Sequence, residues 1–234
     1  MNNPVAVLIP AYNEQTTIAA IIDRCLHHTP HVFVVNDGST DDTLACVKKS
    51  SAFVLSSEIN QGKGAALLKG FQAVISEPLA LAAGNYVGII TLDADGQHNP
   101  DDLIRFFELT QKNPDVFIIG ARRKQTNNAP KIRLFANKIA DFFISCVAKK
   151  RLCDTQSGYR YYPISFLKKY FLQPHQSTRF AFEAEILIAA AKMGLSVRYV
   201  DIESCYPDQA RMSHYRAGRD SWEIAKSLFR ALCR

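Results

Sequence analysis

Through the first 120 residues, short apolar runs take turns with longer stretches whose apolar positions recur at helical spacing. The runs "VAVLI" (5–9), "HVFVV" (31–35), "AFVL" (52–55), "YVGII" (86–90) and "VFIIG" (116–120) are rich in β-branched residues and do not alternate with polar ones. Unbroken apolar strands of that kind belong to parallel sheets covered on both faces. Between them, residues 15–27, 41–50, 62–76 and 101–112 have helix length and helical periodicity. The pattern predicts successive βα units in an open, mostly parallel sheet. Ligands bind such sheets in the crevice beyond the carboxyl ends of the strands. The polar clusters "PAYNE" (10–14), "NDGSTDD" (36–42) and "DADGQH" (93–98) all fall at that edge.

Beyond residue 120 the texture changes. "ARRKQTNNAPKIR" (121–133) reads as a basic loop, followed by a helix over 132–149, a loop "CDTQSGYR" (153–160) and a helix near 181–192. A strand "SVRYV" (196–200) and a last helix at 219–232 complete the chain. No repeat, low-complexity tract or linker divides it, so the expectation is one domain with halves 1–120 and 121–218 and an appended amphipathic helix.

Composition narrows the class. With 234 residues, 47% of them hydrophobic, the chain is long enough for a sizeable core. Its 28 Lys and Arg against 22 Asp and Glu give a charge of +6, which suits an anionic partner such as a nucleotide or a phospholipid surface. The six cysteines are scattered, with no CxxC pair and no histidine at zinc-ligand spacing, which predicts reduced thiols and a cytoplasmic setting. The N-terminal "NNPVAVLIPAYNE" lacks a basic leader, and no apolar window reaches the roughly 18 residues of a spanning helix. The expectation is a protein that is soluble or peripheral at the inner face of the membrane.

The strand "YVGII" runs through "TL" into Asp93-Ala94-Asp95. If the extended path continues through Ala94, both carboxylates project to one side, and two like charges that close call for a cation. An EF-hand would need its glycine at the sixth position of the loop, whereas Gly96 is fourth. The plain alternative is a solvated turn with Asn99 or Asp101 capping the helix that begins around Pro100. "NDGSTDD" likewise reads as a turn with Ser39 or Thr40 starting a helix. "NQGKGAALLKG" (60–70) opens a helix with Lys63 at its N-terminus, where phosphate is favoured, although it is no Walker loop. Glu183 and Glu185 stand in an otherwise apolar helix, so at least one of them needs a partner or a chemical task.

"PAYNE", "NDGSTDD", "DADGQH" and "DTQSGYR" (154–160), in that order, together with "FEAEILI" (182–188) and "SHYR" (213–216), resemble the inverting family 2 glycosyltransferases of GT-A fold. Among those, the chain is most similar to the dolichyl- and polyprenyl-phosphate sugar synthases. The resemblance implies an α/β, GT-A sheet flanked by helices, with residues 1–120 binding a nucleotide-diphosphate sugar and 121–218 the acceptor. It implies that Asp95 and Asp93 hold Mg2+ or Mn2+ at the diphosphate, with Gln97 or His98 assisting. Pro10, Ala11 and Tyr12 line the base pocket with Ala94, Glu14 contacts the ribose, Asp37 accepts from the base and Lys63 meets phosphate. Asn36 stands where the family more often has an acid.

Arginines grip phosphate bidentately, so Arg122, Arg133 and Arg160 would hold the leaving and arriving phosphates. Arg123 reads as a surface residue, and Asn137 replaces the serine that the synthases carry four residues after the arginine matching Arg133. An anionic lipid-phosphate acceptor needs positioning, whereas a hydroxyl of a glycan or glycolipid needs a base, for which Glu183 or Asp154 is the candidate. His214 and Arg216 lie in a rim loop that would touch phosphate. The 219–232 helix, with Trp222, Ala225, Phe229 and Leu232 along one stripe among basic residues, either packs on the domain or lies on an anionic bilayer.

Other classes fit less well. A dinucleotide oxidoreductase needs G-x-G-x-x-G where this chain has "PAYNE", and no motif interleaves aromatic and basic residues for nucleic acid. A nucleotide-binding protein without transferase activity is the remaining alternative of another class.

Overall fold

A computed structural model gives the structure and describes residues 4–76, 86–122, 131–172 and 181–203, with backbone alone at 131–136 and 181. Seven strands form one sheet: β1 Val5–Ala11, β2 Val32–Asp37, β3 Phe53–Ser57, β4 Gly88–Thr91, β5 Phe117–Ala121, β6 Arg160–Pro163 and β7 Val197–Asp201. Their order is β3-β2-β1-β4-β6-β5-β7. All pairings are parallel except those of β6, which runs antiparallel to both β4 and β5.

The apolar runs work by facing two ways. Val5, Val7 and Ile9 of β1 join Val32, Val34, Ile90 and Ile118 on one face of the sheet. That face is covered by α1 (Ile18–His28), α2 (Thr43–Lys48) and α4 (Leu103–Lys112). Ala6 and Leu8 turn the other way with Phe33, Val35, Ile89, Phe117 and Ile119. There they meet α3 (Lys63–Ser76), α5 (Lys131–Ala148), α6 (Ile164–Phe171) and α7 (Ala181–Lys192). Burial on both faces is why these strands carry no polar alternation.

Two features depart from the expected element pattern. The segment expected to be a loop up to Arg160 passes into β6, whose four residues, "RYYP", are buried. Thr91 of β4 pairs with Arg160, so the turn before β6 lies at the same sheet edge as the carboxyl end of β4. Helix α6 was not anticipated. At the start of α4, Asn99 Oδ1 accepts from the Asp101 N–H and Pro100 opens a single 3-10 turn, so Asn99 is the cap. At α2, Asp41 accepts from the Thr43 N–H, the job expected of Ser39 or Thr40. Arg123, His214, Arg216 and the helix expected at 219–232 lie outside the described residues, and of Arg133 only the backbone, within α5, is described.

Candidate active site

The first three loops are stitched together at the carboxyl edge. Asn13, in left-handed backbone at φ 56°, donates its N–H to Ser39 Oγ at 3.0 Å and accepts from the Thr40 N–H at 2.8 Å. The Glu14 N–H donates to Thr43 Oγ1 at 2.7 Å. Thr17 Oγ1 donates to the Ala94 carbonyl at 2.7 Å, so the "PAYNE" and "DADGQH" turns hold one another. Pro10 and Ala11 close β1 and are buried, as are Glu14 and Ala94, while Tyr12 is half-buried.

Asp37 ends β2 almost fully buried. Its Oδ1 accepts from the Gln61 N–H at 3.0 Å and its Oδ2 from the Gly62 N–H at 2.7 Å. Both oxygens therefore anchor the turn that launches α3. Gly38, at φ 68°, makes this approach workable: a Cβ there would come within 2.4 Å of the Ile59 backbone. A contact from Asp37 to a base would have to be made in addition to this anchoring.

That turn delivers Lys63 to the centre. Its Nζ lies 2.7 Å from Asp93 Oδ1 and 2.9 Å from Glu183 Oε2, bridging the end of β4 to α7. Burial alone would lower the ammonium's pKa, but Asp93 and then Glu183 outweigh it and hold Lys63 above the usual lysine value. Burial would likewise raise Asp93, yet Lys63 and then His98 bring its carboxyl below the ordinary range. Asp95 goes the opposite way, raised first by burial and then by the charge of Asp93. Its Oδ1 accepts from the Gln97 N–H at 2.9 Å, and Oδ2 has no partner among the described residues.

The extended path stops at Thr91 and turns at Gly96 (φ 79°), but the two aspartates remain electrostatic neighbours. His98 is buried against Tyr159 with ring centroids 5.2 Å apart, and its Nδ1 accepts from the Asp93 N–H at 3.3 Å. Burial pushes its pKa down, in keeping with a neutral ring that holds the loop through Nδ1.

The arginines divide. Arg122 donates from its backbone N–H to Asp154 Oδ2 at 2.7 Å and from Nε to the same oxygen at 2.9 Å, while Nη2 donates to Oδ1. Asp154, a candidate base in the sequence, is thus a paired carboxylate held in left-handed backbone at φ 47°. Asp141 of α5 pins it. One oxygen accepts from the Asp154 N–H at 2.9 Å, and the other from the Thr155 N–H at 2.8 Å and Oγ1 at 2.7 Å.

Arg160 corrects the expectation of a phosphate grip. It is fully buried and donates to three carbonyls: Ser157 at 2.7 Å, Glu183 at 2.6 Å and Thr155 at 2.6 Å. It is a positioning residue that ties the 155–158 turn to α7. Thr91 Oγ1 donates to the Gly158 carbonyl at 2.8 Å from the other side. A Cβ at Gly158 would come within 2.5 Å of Asp93 Oδ2 and 2.8 Å of Lys63 Nζ, so this glycine lets the turn close over the ion pair. Glu185 is not drawn into the site, and its Oε2 is buried with no hydrogen-bond partner among the described residues.

Sequence reading brought the Asp93–Asp95 pair, Lys63 and Glu183 forward separately, and the structure joins Lys63 to Asp93 and Glu183. It missed Asp141, Thr17 and Gly158, whose roles rest on contacts distant in the chain and carry no local signal.

Among the described residues no three His, Cys, Asp or Glu side chains converge into a metal cage. Asp95 nonetheless fits a hard cation. It offers an oxygen without a partner among the described residues, and burial and then the charge of Asp93 raise its pKa, a strain that a cation relieves. Mg2+ usually takes one or two carboxylates and completes its shell with substrate phosphates and water.

A mostly parallel sheet thus gathers two carboxylates, a lysine and an arginine-bearing loop beyond its strand ends, the edge at which open α/β sheets bind their ligands. The family model described as Glycosyl transferase family 2 matches residues 6–171, and the chain belongs to that family. It is 31% identical over 207 residues to the polyprenol monophosphomannose synthase of Mycolicibacterium smegmatis, covering 84% of this chain and 75% of that one. It is 25% identical over 225 residues to the UDP-N-acetylglucosamine–dolichyl-phosphate N-acetylglucosaminyltransferase of Methanococcus voltae, covering 87% and 86%. The fold resembles glucosyl-3-phosphoglycerate synthase of Mycobacterium tuberculosis, crystallised with Mn2+, UDP and phosphoglyceric acid. That likeness has a TM-score of 0.73 at 16% identity, over 98% of this chain and 78% of that one.

Proposed function

We propose that this protein transfers a sugar, with inversion, from a nucleoside-diphosphate sugar to a polyprenyl or dolichyl phosphate. The donor diphosphate would lie at the N-terminus of α3, where the helix dipole and Lys63 favour phosphate. Asp95, with Asp93 beside it, would hold the divalent cation, Mg2+ or Mn2+, which when bound offsets charge developing on the leaving diphosphate. Gln97 supports Asp95 through its backbone N–H. Tyr12, Pro10, Ala11 and Ala94 flank the space for the base, and Glu14 the ribose. Arg122 and Arg133 remain the residues for the acceptor phosphate.

One observation carries the choice of acceptor. Both carboxylates available as a general base are committed to cations, Glu183 to Lys63 and Asp154 to Arg122. A carboxylate whose oxygen is taken up by a cation is not free to face an acceptor hydroxyl. A phosphate monoester is already anionic and needs only to be oriented for attack on the anomeric carbon. This favours a lipid phosphate over a glycan hydroxyl. The relatives, a polyprenol monophosphomannose synthase and a dolichyl-phosphate N-acetylglucosaminyltransferase, agree with it.

The test is transfer from UDP-glucose, UDP-N-acetylglucosamine and GDP-mannose, with Mg2+ or Mn2+, to polyprenyl phosphate in parallel with the free polyprenol and a glycan hydroxyl acceptor. An acid-labile polyprenyl-phosphate sugar is the expected product. Product on the hydroxyl acceptors but none on the phosphate would overturn the reading.

A further inference from the structure

Helix α5 has two apolar sides, and only one of them is used by the core. Ile144, Val147 and Ala148 are buried in the layer shared with α7. Opposite them Ile139, Phe142 and Phe143 are 43%, 63% and 52% exposed, and Cys146 continues the same stripe at spacings of three, four and seven residues. The two phenylalanine rings meet edge to face with centroids 5.6 Å apart. Phe142 and Phe143 are the exposed aromatic members of the described surface's large apolar side chains. Exposed Lys138 precedes the stripe, and exposed Lys149 and Arg151 follow it. The single acid between residues 131 and 151 is Asp141, and its carboxylate is engaged with the Asp154 and Thr155 backbone.

A helix of 18 residues is about 27 Å long. The exposed stripe from Ile139 to Cys146 runs about 12 Å along it, and aromatic side chains flanked by Lys138, Lys149 and Arg151 with no carboxylate turned outward match a helix lying in the interface of an anionic bilayer. The ridge is also fixed relative to Arg122. From the same helix, Asp141 pins Asp154, which holds Arg122.

We propose that the Ile139–Phe142–Phe143–Cys146 face of α5 is the membrane-docking surface, seating the phenyl rings among lipid headgroups so that Arg122 meets lipid phosphate at the bilayer surface. The docking rests on the reading of a lipid-phosphate acceptor but is measured without it.

The full-length protein is sedimented with vesicles of phosphatidylcholine, with and without phosphatidylglycerol. Wild type is expected to follow the anionic vesicles, less so as salt rises. Phe142→Ser/Phe143→Ser is expected to lose partition by about a hundredfold, as two rings no longer leave water. Lys138→Glu/Lys149→Glu is expected to lose the preference for anionic lipid. Thermal stabilisation by nucleoside diphosphate with Mn2+ should be the same in all three. A wild type that stays in the supernatant overturns the proposal, as does a double serine variant that binds as well as wild type. Light scattering that finds a wild-type dimer and a monomeric serine variant overturns it too, by making the face a self-interface. Vesicle binding lost in the variant while the wild type glycosylates no polyprenyl phosphate upholds the docking face and overturns the acceptor reading instead.

Discussion

Replacing Lys63 with Met keeps most of the side chain's length and deletes one charge. Asp93 and Glu183 are then left as two carboxylates without their shared counter-ion, with Asp95 adding a third negative charge beside them. Removing one partner of a fully buried pair costs about 3–5 kcal/mol. Here the three side chains are 19%, 26% and 13% exposed, so water relieves part of the penalty and about 2–4 kcal/mol is expected. Urea unfolding followed by circular dichroism reads this directly, since a slope of about 2 kcal/mol per molar converts it to a midpoint lower by about 1–2 M. Lys63→Arg keeps the charge and should lose less than half as much. Adding Mn2+ alone should stabilise Lys63→Met more than wild type, because the uncompensated carboxylates attract the cation. A midpoint within about 0.2 M of wild type, or an equal loss in Lys63→Arg, would show that the ion pair does not organise this site.

Gly158→Ala puts a methyl group into the contact with Asp93 and Lys63. Because it meets side-chain ends, stability should fall by only about 1 kcal/mol, whereas turnover falls at least tenfold; unchanged turnover in a steady-state assay would contradict the closure of this turn over the pair. Asp141→Asn turns one acceptor oxygen into a donor facing a backbone N–H and loosens Asp154. The KM for polyprenyl phosphate should rise several-fold with the donor KM unchanged, and equal effects on both would make Asp141 merely structural. Burial, the dominant cause, pushes the Cys25 thiol up to about 12, so at pH 9 iodoacetamide should label exposed Cys146 in the native protein and reach Cys25 only on unfolding. Peptide mass spectrometry decides it.

The sequence specifies the frame because its signals are local and redundant. Strands β1, β2, β4 and β5 each announce themselves by a β-branched run, since a strand buried on both faces has no polar position to spare, and the half-buried edge strand β3 follows the shorter run "AFVL". The motif order names the family for a related reason: each turn must present particular atoms at a strand end, and the strand ends are read off the same pattern. Asp93 and Asp95 were legible as a pair on those grounds, Lys63 from its place at a helix N-terminus and Glu183 as a charge in an apolar helix.

What only the tertiary structure decides is which of these groups meet, and in which direction each side chain spends its bonds. Lys63 and Glu183 are 120 residues apart, and no periodicity says that one ammonium bridges α7 to β4. Arg160 looks like a phosphate grip in "SGYR", but pairing of β6 between β4 and β5 turns its guanidinium inward onto three carbonyls. "RYYP" is too short to declare itself a strand, and the neighbours on both sides make it one. Glu183 and Asp154 were equal candidates for a base until their cations were found. The exposed face of α5 likewise reads in sequence as one side of a helix that is apolar nearly all round, and only packing shows which side the core leaves to another surface. Local chemistry fixes the elements and their ends, whereas charge pairing and side-chain direction depend on distances that the chain sets only once it has folded.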